Sequence, residues 1–181
     1  MIRKPYRIDI LKEVQLAGEL KEKLLADGLH AGNTVVVTVS TDYSSFIGQY
    51  LRHALTYDRE ICEGFGVDVP YPDESWDSYY VSDLRSNILN NDHLWHKNGK
   101  NLLLVEAGVI RGGNYTFVVD YLKKLYSNKI LTLAMYENKF SKFKSDYVGE
   151  YYNDMVQDLT FWWEMDNKHW PTIYTKKQKK L

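Results

Sequence analysis

The sequence predicts an α/β domain built on a mostly parallel central sheet, and three observations carry that expectation. Apolar, largely unbroken runs at residues 34–39, 100–105 and 130–136 read as strands buried on both faces. Apolar positions at helical spacing separate these runs. Strands that alternate with helices form parallel units whose helices cover the sheet. At 181 residues, 44% hydrophobic and 26% charged, the chain is large enough to bury a core and has a globular rather than a disordered composition.

Taken in order, residues 8–25 place Ile8, Leu11, Leu16, Leu20 and Leu24 on a helical face. Asp27-Gly28 and Ala31-Gly32-Asn33 are turn formers that end it. Residues 34–39 are the first buried strand, and residues 46–56 read as the next helix. A weaker strand over 60–69 is interrupted by Gly64 and Gly66. Residues 68–98 are irregular, rich in Asp, Asn and aromatics, with a short helix at 82–89; a long structured loop in a compact domain is either functional or an inert insertion. The strand at 100–105 ends at Glu106, a helical run follows over 115–126, and the strand at 130–136 comes after it. Ligands of parallel sheets lie at the carboxyl ends of the strands, which gathers residues 40–45, 106–114 and 137–142 around one cleft.

Residues 102–114, Leu-Leu-Leu-Val-Glu-Ala-Gly-Val-Ile-Arg-Gly-Gly-Asn, are the most informative stretch. A strand passing into a helix exposes backbone N–H groups at the positive end of a helix dipole, which suits a phosphate. Gly112 and Gly113 let the backbone approach an anion closely, and Arg111 adds a cation with bidentate geometry. Two readings stand on spacing alone: an anion-binding hinge, or an ordinary strand–turn–helix. His93 and His96 near Asp92 have a metal-compatible spacing, against which stands a polar loop. Cys62, the single cysteine, excludes an internal disulfide.

The same stretch resembles the signature of the type I phosphoribosyltransferases, four apolar residues, two acids, a linker and Thr-Gly-Gly-Thr. Residues 33–55 resemble that family's first strand, pyrophosphate loop and helix. Ser145-Asp146-Tyr147-Val148-Gly149 and Phe161-Trp162-Trp163-Glu164 resemble Pro-Asp-Tyr-x-Gly and Pro-Trp-Glu of its xanthine–guanine and hypoxanthine branch. The resemblance implies a single phosphoribosyltransferase-like domain over 1–170 with a small C-terminal hood, a variable loop at 68–98 that closes over the reacting centre, and a basic tail at 171–181.

It also implies roles. Glu106 is the expected catalytic carboxylate and takes a ribose hydroxyl. Arg111, Gly112, Gly113, Asn114 and the N–H of Tyr115 hold the 5′-phosphate. Thr41, Asp42 and Tyr43 stand at the diphosphate, with Asp42 and Glu106 as ligands for Mg²⁺. Tyr136, Asp158 and Leu159 stand at the base. The motifs are degenerate: Ala107 replaces the second acid, and losing that hydrogen bond weakens ribose binding by about 1–3 kcal/mol. Thr41-Asp42-Tyr43 stands where the family's diphosphate loop is usually Arg-Gly-Gly, so that Asp42 repels a diphosphate unless a metal ion lies between them, and Ile110 replaces the acid that manages the purine proton.

The implied function is a divergent phosphoribosyltransferase-like enzyme of nucleotide metabolism and purine salvage. It binds a 5-phosphoribosyl group and a purine-like base and acts at the N-glycosidic bond, with a homodimer expected by analogy. The competing readings are a catalytically inactive nucleotide-binding or protein-interaction protein, and a nucleic-acid-associated protein acting through its lysine tail and its 15 tyrosines and 5 tryptophans. A net charge of −1 gives no global pull toward nucleic acid. No apolar run has the roughly 20 residues of a membrane helix and the N-terminus lacks a signal-peptide core, so a soluble, cytoplasmic protein with no membrane partner is expected.

Overall fold

The computed structural model describes residues 6–39, 41–67, 99–153 and 159–160, with backbone alone for 6–7, 41–45 and 159–160. In order, these form β1 (Tyr6–Arg7), α1 (Ile10–Ala26), β2 (Thr34–Val39), α2 (Thr41–Ala54), β3 (Glu63–Val67), β4 (Asn101–Val109), α3 (Gly113–Leu122), β5 (Ile130–Asn138), β6 (Tyr147–Tyr152) and β7 (Leu159–Thr160). Short strands β1 and β7 pair in parallel, Tyr6 opposite Leu159, and belong to one compact unit; Gln15 to Asp154 form the other. The expected helix at 82–89, the histidine pair at 93 and 96, Asp158, the aromatic run at 161–163 and the basic tail lie outside the described residues.

The larger unit is a five-stranded sheet in the order β3-β2-β4-β5-β6, parallel throughout. Its centre is apolar because β2 is buried along its whole length and β4 presents Leu102, Leu103, Leu104 and Val105 fully buried. On one face α3 packs Tyr115, Val118 and Leu122 with Val35, Val37, Leu102 and Leu104. On the other α2 comes so close that a Cβ on Gly48 would collide with the Thr38 hydroxyl. The residues of β2 alternate between these helices, as a strand covered on both faces requires.

The structure departs from the sequence reading in three places. First, α2 begins at Thr41, so Thr41, Asp42 and Tyr43 form its first turn rather than a loop. Ser, Thr and Asp near a helix start favour caps as readily as loops. Second, β4 and β5 both run further than expected. Their ladder continues through Gly108 opposite Tyr136 and Val109 opposite Glu137, so Glu106 and Ala107 lie inside β4.

Third, β6 follows β5 in parallel after only residues 139–146, a connection much shorter than the usual crossover helix. Two carboxylates pin it, Glu137 buried and Asp146 exposed. Glu137 is fully buried; its Oε2 accepts the Ser145 N–H at 2.8 Å and its Oε1 lies 3.4 Å from Lys144 Nζ. Asp146 Oδ2 accepts from both the N–H and the hydroxyl of Thr132, at 2.8 and 2.9 Å. Replacing Asp146 by alanine leaves the Thr132 N–H without that acceptor. The expected loss is about 1–3 kcal/mol of stability, read as a lower urea midpoint with an unchanged slope.

Candidate functional site

The carboxyl ends of β4 and β5 meet the amino end of α3, and the sequence dictates how. Gly112 is the N-cap of α3, with φ 81° and ψ 10°, a left-handed conformation that glycine adopts without strain. A Cβ there would strike Phe143 Cβ and lie 2.9 Å from Ser141 Oγ, so the residue is buried against the loop that follows β5. Its neighbour Gly113 is exposed, with open space where a side chain would be. Gly112 supplies no side-chain cap. The positive end of α3 therefore opens toward solvent at Gly113, the arrangement that receives an anion. Arg111 is exposed beside it.

Two further groups face this helix start. The Ser141 hydroxyl, 4% exposed, has no hydrogen-bond partner, and a buried orphan hydroxyl is uncommon in a native structure. Inside β4, Glu106 is 8% exposed. Burial pushes its carboxyl up to about 8, although the Asn114 side chain, which donates a hydrogen bond to it, favours the charged form. The first acid and the last residue of the motif are thus bonded directly to each other. A carboxyl poised near neutral pH holds or releases a proton within the range where acid–base chemistry operates.

Other expected site residues are placed differently. Tyr115 is wholly buried, its hydroxyl donating to the carbonyls of Leu104, at 3.2 Å, and Leu133; only its N–H belongs to the hinge. Tyr136 is also fully buried, so its side chain is not presented to an open cleft. Leu159 lies in the two-stranded β1–β7 pair. Ser141 and Glu137 were not singled out by motif, because their roles come from a tight parallel connection that no local pattern announces. Cys62 is buried, donates to the Thr34 carbonyl at 3.0 Å, and is pushed up to about 11 by desolvation, which makes it a packing residue rather than a nucleophile.

Of the two residues expected to hold Mg²⁺, Asp42 belongs to a turn described by its backbone alone, and the Glu106 carboxyl is bonded to Asn114. Among the described residues no three His, Cys, Asp or Glu side chains converge. A polar cleft of about 270 Å³, lined by Asp27, Asn33, Asn101, Lys129 and Tyr147, lies at the opposite, amino ends of the strands. Among the described residues no helix is long and apolar enough to cross a membrane.

The fold, an all-parallel sheet with a glycine hinge at the end of its central strand, is that of solved type I phosphoribosyltransferases. The chain is similar to a purine phosphoribosyltransferase from Pyrococcus horikoshii Ot3, at 14% identity over 90% of this chain and 95% of that one, with a TM-score of 0.62. It is similar to the Helicobacter pylori xanthine-guanine-hypoxanthine phosphoribosyltransferase, at 15% identity over 93% and 99%, TM-score 0.57. It is equally similar to a hypothetical protein from Neisseria gonorrhoeae with bound ppGpp, at 13% identity over 98% and 100%, TM-score 0.60. No family model and no curated protein matches the sequence.

Two outcomes follow from this geometry. Gly112→Ala forces a side chain into Phe143 from a left-handed backbone and is expected to destabilise by roughly 2 kcal/mol or more, whereas Gly113→Ala leaves the melting temperature nearly unchanged; calorimetry of the pair checks both. For Glu106, the folded value near 8 exceeds the ordinary 4.5, so between these pH values the folded state holds a proton that the unfolded chain has released. Stability accordingly falls as pH rises through that window. Melting temperature followed from pH 5 to 9 is expected to decline in the parent and to decline less in Glu106→Gln.

Proposed function

We propose that this chain binds the 5-phosphoribosyl group of a nucleotide-like ligand at the Arg111–Asn114 hinge and acts at the N-glycosidic bond to a purine-like base, as a divergent phosphoribosyltransferase-like enzyme. The observation that carries the reading is the start of α3: a left-handed Gly112, an open Gly113 and an uncapped helix end above the Glu106–Asn114 hydrogen bond. In this reading the phosphate meets the N–H groups of the first turn and the Arg111 guanidinium. The Ser141 hydroxyl turns toward the same anion and gains the partner it lacks. Glu106 meets a ribose hydroxyl, and in its proton-bearing form it donates as well as accepts.

A second reading, nucleotide binding without group transfer, has its own support. Helix α2 begins at Thr41, which leaves little room for a diphosphate-holding loop after β2, and Ala107 removes one acid from the ribose site. The similar Neisseria gonorrhoeae structure holds ppGpp, a nucleotide rather than a transfer substrate pair. Both readings share the phosphate hinge and differ only in turnover.

Thermal shift with ribose 5-phosphate, purine nucleoside monophosphates, phosphoribosyl diphosphate and ppGpp is expected to show stabilisation by ligands bearing a phosphorylated ribose, since a ligand of the folded state raises its melting temperature. Arg111→Ala is expected to weaken that binding about tenfold, the loss of one charge-assisted contact. Absence of any shift, or a shift insensitive to Arg111→Ala, sinks the phosphate hinge. Assays with hypoxanthine, guanine and xanthine then separate enzyme from binder by the formation of nucleotide.

A further inference from the structure

The loop after β5 carries an arrangement that capture of a single phosphate does not use. Residues 139–144, Lys-Phe-Ser-Lys-Phe-Lys, expose Lys139, Lys142 and Lys144, and Phe140 stands 67% exposed. Tyr151 of β6, opposite Glu137 in the ladder, is 49% exposed. The backbone ties these residues closely together at the end of the β5–β6 ladder. Lys139 N–H bonds the Tyr152 carbonyl at 3.0 Å, Lys144 Nζ reaches the Lys139 carbonyl at 3.1 Å, and Ser141 and Phe143 lie against Gly112, next to Arg111. The patch is therefore continuous with the amino end of α3.

Its charge is one-sided. Lys144 is paired with buried Glu137, and Asp146 turns to Thr132. Arg111, Lys139 and Lys142 make no ion pair among the described residues. Cations spaced around exposed aromatic rings, on a chain of net charge −1, match a partner with regularly spaced phosphates and flat, unstacked bases. An acidic peptide satisfies the lysines but leaves the rings without stacking partners. Duplex ends and grooves keep their bases stacked.

The geometry points to a binding surface for single-stranded nucleic acid across the β5–β6 loop, with Lys139 and Lys142 on the phosphates and Phe140 and Tyr151 stacked on bases. Non-specific strands bound this way have dissociation constants of about 10⁻⁶–10⁻⁴ M and a steep salt dependence.

The test is fluorescence anisotropy of the full chain with labelled 20-nucleotide oligo(dT) and oligo(U) across a salt series. The expected result is saturable binding that weakens as salt rises. Lys139→Ala/Lys142→Ala should lower affinity about tenfold at low salt and flatten the salt slope by about 1.4, two contacts at roughly 0.7 each. Phe140→Ala should weaken binding about tenfold with the slope unchanged, the signature of lost stacking. All three positions are exposed, so the variants keep the parental melting temperature. Tyr151→Ala, outside the loops gathered around the cleft, should weaken strand binding while stabilisation by nucleoside monophosphates stays as in the parent, which separates this surface from the phosphate hinge. Absence of strand binding overturns the proposal. So does binding unchanged by these variants, as it would be if residues 176–180 alone held the strand. Equal affinity for poly-glutamate, for duplex of the same length or for phosphatidylserine vesicles overturns it too.

Discussion

One close approach organises the functional end of this molecule: the backbone of Gly112 against the loop that follows β5. A left-handed residue ends the β4–α3 turn, and Ser141 and Phe143 occupy the space where its side chain would lie. Only glycine meets both conditions. The contact fixes the start of α3 relative to the sheet and seals one side of the turn, leaving Gly113 as its open side. The loop it touches is itself held by Glu137 and Asp146. The helix dipole, the orphan Ser141 hydroxyl and the exposed lysines are consequently parts of one mechanical unit.

Sequence legibility followed burial. The strands β2, β4 and β5 were readable because an apolar run covered on both faces tolerates few polar interruptions. Element ends were less so: β4 continues through Glu106, Ala107 and Gly108 because β5 supplies a ladder partner, which no local pattern records. β6 was missed as a strand for a related reason. Its residues are mostly half-buried, and the connection before it depends on side-chain bonds from residues 8 to 14 positions away in sequence. The hinge was legible as a motif, but its two glycines turn out to have opposite jobs, one packed and one open. Tyr115, whose N–H belongs to the hinge, commits its hydroxyl to the core carbonyls of Leu104 and Leu133.

Glu106 shows how a motif position can persist while its physical state changes. A carboxylate at a strand end in water needs no support. Inside β4, with Ala107 behind it, the same side chain loses hydration, and burial favours the protonated form. The Asn114 hydrogen bond offsets part of that cost and couples the acid to the first turn of α3. In the proposed reading an anion at that turn repels a charged Glu106 and favours a neutral one, so a proton on the acid and a phosphate at the helix support each other. Ala107 beside it acts in the same direction, since two adjacent carboxylates next to a phosphate need a counter-cation and one protonated carboxyl does not.

The proposed reading makes two demands of this fold: a transferase must hold a sugar phosphate and, at the same time, a departing diphosphate. In that reading the first demand falls on the left-handed Gly112, the open start of α3 and the buried Glu106. The second demand falls where β2 passes almost directly into α2. A site with so little room after β2 suits, in the proposed reading, chemistry that draws less on stabilising a highly charged leaving group and more on the sugar, the base and the proton at Glu106. Making or breaking an N-glycosidic bond with a less charged partner, or holding a nucleotide without turnover, sets that smaller demand, and both readings rest on the glycine hinge and on the Glu106–Asn114 bond beside it.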